Sequence, residues 1–189
     1  YPQARIAYTF WTKSLYQHVK RLITRFYRQF DDRDPDWEKK LFVLHGWGSS
    51  TTPGMYSFAC EQHNVPALSF QQAAARTAGD RFDFACKSLL GATQITPQFD
   101  FVFVDEGQDF PPSFLQLTHR LAKEGKFVLA YDDLQTILQP TAPSNVDLFG
   151  RNDKGQPNVV FEEDIVLHKC YRNPREVLVA AHALGFGVY

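Results

Sequence analysis

Two adjacent carboxylates, Asp105 and Glu106, directly follow the apolar run Phe101-Val102-Phe103-Val104. An unbroken run of that kind suits a strand buried on both faces of a parallel sheet. In open α/β sheets, ligands gather at the carboxyl ends of the strands. There, Asp105 offers the hard oxygen donors that Mg2+ takes, and Glu106 can orient and deprotonate a water attacking a phosphoryl group. The plain alternative is a solvated acidic loop. Two more polar clusters end apolar runs. Tyr131-Asp132-Asp133-Leu134-Gln135 closes one and reads otherwise as a polar turn. Lys169-Cys170-Tyr171-Arg172-Asn173-Pro174 closes another. In that last cluster an Arg can reach a phosphate bidentately and a Tyr can stack on a base, unless the segment is merely a capped helix start with a surface Arg. Three such clusters at strand ends point to one site more strongly than any one of them.

The elements that must position these groups follow from the pattern of apolar residues. Short apolar runs alternate with amphipathic stretches, which predicts an α/β domain with a mostly parallel sheet flanked by helices. Strands are expected at Arg5–Phe10, Leu41–Leu44, Phe99–Val104, Lys126–Tyr131 and Ile165–Leu167. From about Ser14, Leu15, Val19, Leu22, Phe26 and Phe30 recur at helical spacing, with Lys20, Arg21, Arg25 and Arg28 on the opposite side. Residues 55–95 read as helical in pieces. Pro111 and Pro112 open a helix of about a dozen residues that Gly125 is placed to cap. Residues 139–158, rich in Pro, Gly and Asn, read as a long loop. Asn173, Pro174 and Glu176 are the cap, first turn and capping-box partner of a last helix running to about Leu184.

Composition bounds the partners only loosely. The net charge of −1 announces no polyanion. Its distribution does hint at one, because residues 1–30 carry Arg5, Lys13, Lys20, Arg21, Arg25 and Arg28 and no acid. Aromatics at 15% supply either a dense core or base-stacking surface. Cys60, Cys86 and Cys170 are odd in number and far apart, which suggests no disulfide framework. Cys60 and His63 have a metal-like spacing without a second close pair. No leader-like segment or membrane-length apolar run is present, so the expected setting is cytoplasmic, with no membrane partner.

In order and spacing these motifs resemble the UvrD/Rep-like superfamily 1 helicases. The first motor domain of that family carries Asp-Glu-x-Gln-Asp, then Gly-Asp-x-x-Gln-Ser-Ile, then Asn-Tyr-Arg-Ser. The corresponding segments here are Asp105-Glu106-Gly107-Gln108-Asp109, Tyr131-Asp132-Asp133-Leu134-Gln135-Thr136-Ile137 and Cys170-Tyr171-Arg172-Asn173. Upstream, Tyr8-Thr9-Phe10-Trp11-Thr12-Lys13 resembles the family's Thr-Phe-Thr-Asn-Lys segment, and Val43-Leu44-His45-Gly46-Trp47 resembles Thr-Phe-His-Ser-Phe. The resemblance implies a RecA-like fold over residues 1–189, with a reduced 1B-type insertion at about 55–95, and ATP and Mg2+ as cofactors. It implies that Asp105 binds the metal, Glu106 activates water and Gln135 senses the γ-phosphate. It further implies that Tyr171 stacks on adenine and Arg172 touches the γ-phosphate. Thr9, Phe10, Lys13, His45 and Trp47 fall on the side implied to meet single-stranded DNA. Tyr131 in place of Gly, Leu138 near a customary aromatic and Cys170 in place of Asn depart from the pattern.

No Gly-x-x-x-x-Gly-Lys-Ser/Thr occurs, so the backbone cradle and Lys of a P-loop are missing from these residues. The expectation is a partial motor domain, inactive alone for lack of an N-terminal P-loop segment and a C-terminal second motor domain. By the resemblance, the absent P-loop strand belongs between Lys126–Tyr131 and Ile165–Leu167; the two strands can pair directly, a second chain can donate a strand, or a further segment can fill the gap, and the last is the expectation. A degenerate helicase-like module that binds nucleic acid or a protein without catalysis is the alternative.

Overall fold

The computed structural model describes residues 3–49, 51–132, 144–167 and 174–186. Strands β1 (Ile6–Phe10), β2 (Leu41–His45), β3 (Phe101–Val104) and β4 (Phe127–Leu129) form one all-parallel sheet in the order β2-β1-β3-β4. Register places Ala7 between Phe42 and Val102, and Thr9 between Leu44 and Val104. Because side chains alternate along a strand, these residues line one face, which Phe127 and Leu129 extend.

That face carries the core. Helices α2 (Met55–Gln62), α4 (Arg81–Ala92) and α5 (Pro112–Leu121) bring Met55, Tyr56, Ala59, Phe82, Leu89, Phe114 and Leu117 against Leu44, Val102 and Val104 in a single cluster. Each large apolar side chain buried this way contributes about 1.5–3 kcal/mol. The boundaries within 55–95 come from capping. Ser69 and Gln72 form a capping box on the short helix α3 (Phe70–Ala74), and the Asp80 carboxylate accepts from the Phe82 and Asp83 N–H groups at the start of α4.

The opposite face carries Tyr8, Phe10, Val43, His45, Phe101, Phe103 and Val128. Helix α1 (Tyr16–Tyr27) lies against β2 there, entered through a 3-10 turn at Lys13–Leu15. The expected apolar stripe forms but is mostly solvent-facing: Leu15, Leu22, Phe26 and Phe30 are exposed, and only Val19 and Ile23 are half-buried.

Three expectations are corrected. Ile165–Leu167 is not a strand; its residues are 70%, 63% and 88% exposed. The run is apolar but pairs with no strand, and β4 ends the sheet among the described residues. Direct pairing of that run with β4 is therefore not what this chain does. Of the expected loop 139–158, residues 139–143 lie outside the described residues, and 144–158 are not simply a loop. Helix α6 (Asn145–Phe149) starts at a Ser144–Asp147 capping box and buries Phe149 against Phe127 and Phe161. Gly125 does not cap α5, which ends at Leu121; it closes a separate 3-10 turn with φ +67°. The last helix, α7 (Arg175–Phe186), leaves Val177, Val179 and Leu184 exposed. Among the described residues no helix is long and apolar enough to cross a membrane.

Candidate functional site

The segment after β3 is gripped from both neighbouring strands. The Asp105 N–H donates to the Thr9 carbonyl at 2.9 Å, and the Ala130 N–H donates to Val104 at 2.8 Å. The Gly107 N–H then donates back to the Ala130 carbonyl at 2.8 Å. The two carboxylates thus sit at the carboxyl end of a central parallel strand, where such sheets place ligands. Gly107 suits this closeness: a Cβ there would lie 2.4 Å from Leu129 Cδ1, which would have to shift, and 3.3 Å from the Ala130 carbonyl oxygen.

Each carboxylate has its own holder. Tyr8 pairs with Phe103 in the register, so Asp105 lies one pleat further along on the same face, and the Tyr8 hydroxyl donates to Asp105 Oδ2. The Glu106 N–H donates to Asp105 Oδ1 at 3.1 Å. Glu106 itself adopts φ 53°, ψ 51°. A left-handed glutamate costs about 1–3 kcal/mol and persists only where its surroundings over-determine it. Here they do, because the Gln108 side-chain amide donates to Glu106 Oε2 while Gln108 Oε1 accepts from the Asp132 N–H at 3.2 Å. A single glutamine therefore ties the acid pair to the end of β4. Burial, reinforced by the hydrogen bond to Asp105 and the charges of Asp105 and Glu106, raises the Tyr8 pKa well above its ordinary value, so Tyr8 remains a proton donor.

A magnesium ion suits this donor set in one specific way. No group of three or more His, Cys, Asp or Glu side chains that could cage a metal exists among the described residues. Mg2+ is commonly held by only one or two carboxylates plus substrate phosphates and waters. Asp105, half-buried and oriented by Tyr8, fits that role.

The residues expected to face nucleic acid divide sharply. Thr9, Phe10 and His45 are 0%, 2% and 6% exposed. Thr9 Oγ1 and His45 Nε2 are buried without a hydrogen-bond partner among the described residues. Burial, helped by the nearby Lys13 charge and opposed by a bond to the Thr52 carbonyl, lowers the His45 pKa. Lys13 is exposed, and its ammonium lies 3.4 Å from Ser49 Oγ. The Trp47 indole N–H donates to the Leu68 carbonyl at 2.9 Å while its ring stacks on Phe82 at 5.2 Å, so Trp47 is locked from two sides. Gln135, Tyr171 and Arg172 lie outside the described residues, so the structure brings together Asp105 and Glu106 alone of the expected nucleotide groups.

Compared with family models, curated proteins and solved structures, the chain matches none. Two residues that sequence reasoning passed over, Tyr8 and Gln108, hold the carboxylates. Gln108 stood inside the motif without a role. Tyr8 was findable only through its register with Phe103, which sequence alone does not supply.

Proposed function

We propose that this chain is part of the first, RecA-like motor domain of an ATP-dependent DNA helicase of the UvrD/Rep-like superfamily 1 type. In the intact protein, ATP hydrolysis would be coupled to movement along single-stranded DNA in the cytoplasm. The observation that carries the proposal is the linkage from Glu106 through Gln108 to the Asp132 N–H. It joins the acid pair to the segment leading into Gln135, the residue the resemblance assigns to γ-phosphate sensing. Supporting it is an all-parallel sheet with both carboxylates at the carboxyl end of β3.

In this reading Tyr8 fixes the rotamer of Asp105, whose carboxylate would hold Mg2+. The metal supplies charge neutralisation of the phosphates. Gln108 holds Glu106 Oε2, which leaves Oε1 to accept a proton from the attacking water. By the resemblance, Tyr171 stacks on the adenine, Arg172 touches the γ-phosphate, and the P-loop comes from outside these residues.

The test is DNA-stimulated ATP hydrolysis by the protein that carries this chain, compared with Glu106→Gln. Removing a general base is expected to lower kcat about a hundredfold or more. Residues 1–189 alone are expected to show negligible turnover, since a P-loop Lys and an arginine finger each supply several kcal/mol in such enzymes. Full hydrolysis in the Glu106→Gln variant, or motor-like turnover by residues 1–189 alone, refutes the proposal.

A further inference from the structure

Helix α1 carries an apolar stripe that nothing covers among the described residues. Phe26 and Phe30 are 57% and 91% exposed, and Leu22 and Tyr27 38% and 37%. The helical turn runs on past Tyr27, because the Gln29 N–H donates to the Phe26 carbonyl and the Phe30 N–H to that of Tyr27, both at 3.0 Å. Leu22, Phe26 and Phe30 therefore stand in one sector of about 80° round the helix axis.

The rest of the helix surface is already engaged. Tyr16, Val19 and Ile23 are half-buried where α1 meets β2. Residues 31–40 turn back along its polar side: Arg28 pairs with Asp34 at 2.6 Å, and the Lys20 ammonium lies 4.6 Å from the centroid of the Trp37 ring. What remains open is the stripe, Arg25 about 60° round from Leu22, and Asp32 just beyond the end. Arg25 and Asp32 are exposed, and neither forms an ion pair among the described residues. Strand β2 is the opposite edge of the sheet from β4, so a strand added beyond β4 leaves this surface uncovered.

The two open charges indicate what covers it. Arg25 and Asp32 are separated by seven residues, about two helical turns, and lie on either side of Arg28 and Gln29. Two copies of α1 laid antiparallel about a two-fold axis near Arg28 and Gln29 bring Arg25 of each opposite Asp32 of the other. Arg28, nearest the axis, is already paired with Asp34. The same operation sets the Phe26 and Phe30 rings of both copies together, and a two-fold contact of this kind is self-complementary by construction. At about 200 Å2 for a whole aromatic side chain, the open stripe offers roughly 400 Å2 per copy. That lies below the roughly 600 Å2 per copy of the smallest stable interfaces, so the association is weak and leans on its charges.

We propose that the chain self-associates through α1 as an antiparallel two-fold dimer, with Phe26 and Phe30 at its centre and Arg25 of each copy paired with Asp32 of the other. Neither α1 nor residues 31–40 enter the nucleotide site, so the dimer stands or falls apart from the helicase reading.

The experiment is sedimentation velocity of the purified chain between about 1 and 200 μM, at low and high salt. The dimer fraction should rise with concentration and fall with salt. Phe30→Ser should weaken association about tenfold or more. Arg25→Glu and Asp32→Lys should each weaken it about tenfold, since each variant sets two like-charged pairs across the axis. The double variant Arg25→Glu with Asp32→Lys, and an equal mixture of the two single variants, should regain wild-type association, because opposite charges face one another again. Thermal melts establish that each variant is folded. A chain that stays monomeric throughout overturns the proposal. So does a dimer that Phe30→Ser leaves unchanged, or a double variant as weak as either single one. If the monomeric chain instead sediments with phosphatidylserine vesicles, the stripe meets a lipid surface and the proposal is wrong.

Discussion

Replacing Tyr8 by Phe removes one atom from the site and tests whether the acid pair is held in place by design of the sheet. The Tyr8 hydroxyl donates to Asp105 Oδ2 from a half-buried position, and burial is the first cause of its raised pKa. Hydrogen bonds to charged acceptors contribute about 1.5–3 kcal/mol net. Asp105 is also half-exposed, so water replaces part of what is lost, which brings the expectation to about 1–2 kcal/mol. The pairwise share is isolated by a double-mutant cycle of Tyr8→Phe, Asp105→Ala and both together, followed by urea unfolding. With a urea slope of about 2 kcal/mol per molar, a loss of that size moves the Tyr8→Phe midpoint by roughly 0.5–1 M. The coupling energy should be about 1 kcal/mol or more. Strict additivity of the two single substitutions would refute the claim that Tyr8 orients Asp105.

Gly54→Ala should destabilise the loop between β2 and α2 far more than an ordinary surface substitution, by about 2–3 kcal/mol, because the new Cβ would sit 2.1 Å from the Gly48 backbone nitrogen and 2.3 Å from its Cα. Denaturant unfolding reads this directly, and a loss under about 0.5 kcal/mol would mean the loop is not closed as described. Acidification should also cost stability. Burial lowers the pKa of His45, aided by Lys13, and that of His119, aided by Arg120. The folded state therefore resists protonation that the unfolded chain accepts at about 6.5. The stability these residues lend is complete above that pH and is lost as pH falls through the unfolded and then the lower folded values. Melting temperatures between about pH 7.5 and 5 should fall for the wild type and fall less for His45→Gln with His119→Gln; parallel curves would contradict the assignment.

Reading the residues alone determined the class of fold and the address of the acid pair. The run Phe101–Val104, apolar at every position, has only one comfortable place, between two other strands, and whatever follows it must emerge at a sheet end. Local composition also marked where helices start, since Pro112 at the head of α5 acts within one turn. What the sequence did not reveal depends on partners distant along the chain. Ile165–Leu167 carries strand-forming residues, but a strand also needs the rest of the chain to bring it to a sheet edge, and among the described residues this run joins no strand although β4 ends the sheet. Phe149 lies in a polar stretch that reads as loop until Phe127 and Phe161 are seen beside it. Neighbouring Phe10 and Trp11 look equivalent in sequence, yet the sheet buries one and leaves the other open, because successive side chains at a strand end take opposite directions. The grip of Tyr8 on Asp105 and the bond from the Asp132 N–H to Gln108 likewise join residues far apart in sequence, and they arise from strand register, a property of the assembled sheet that no single segment contains.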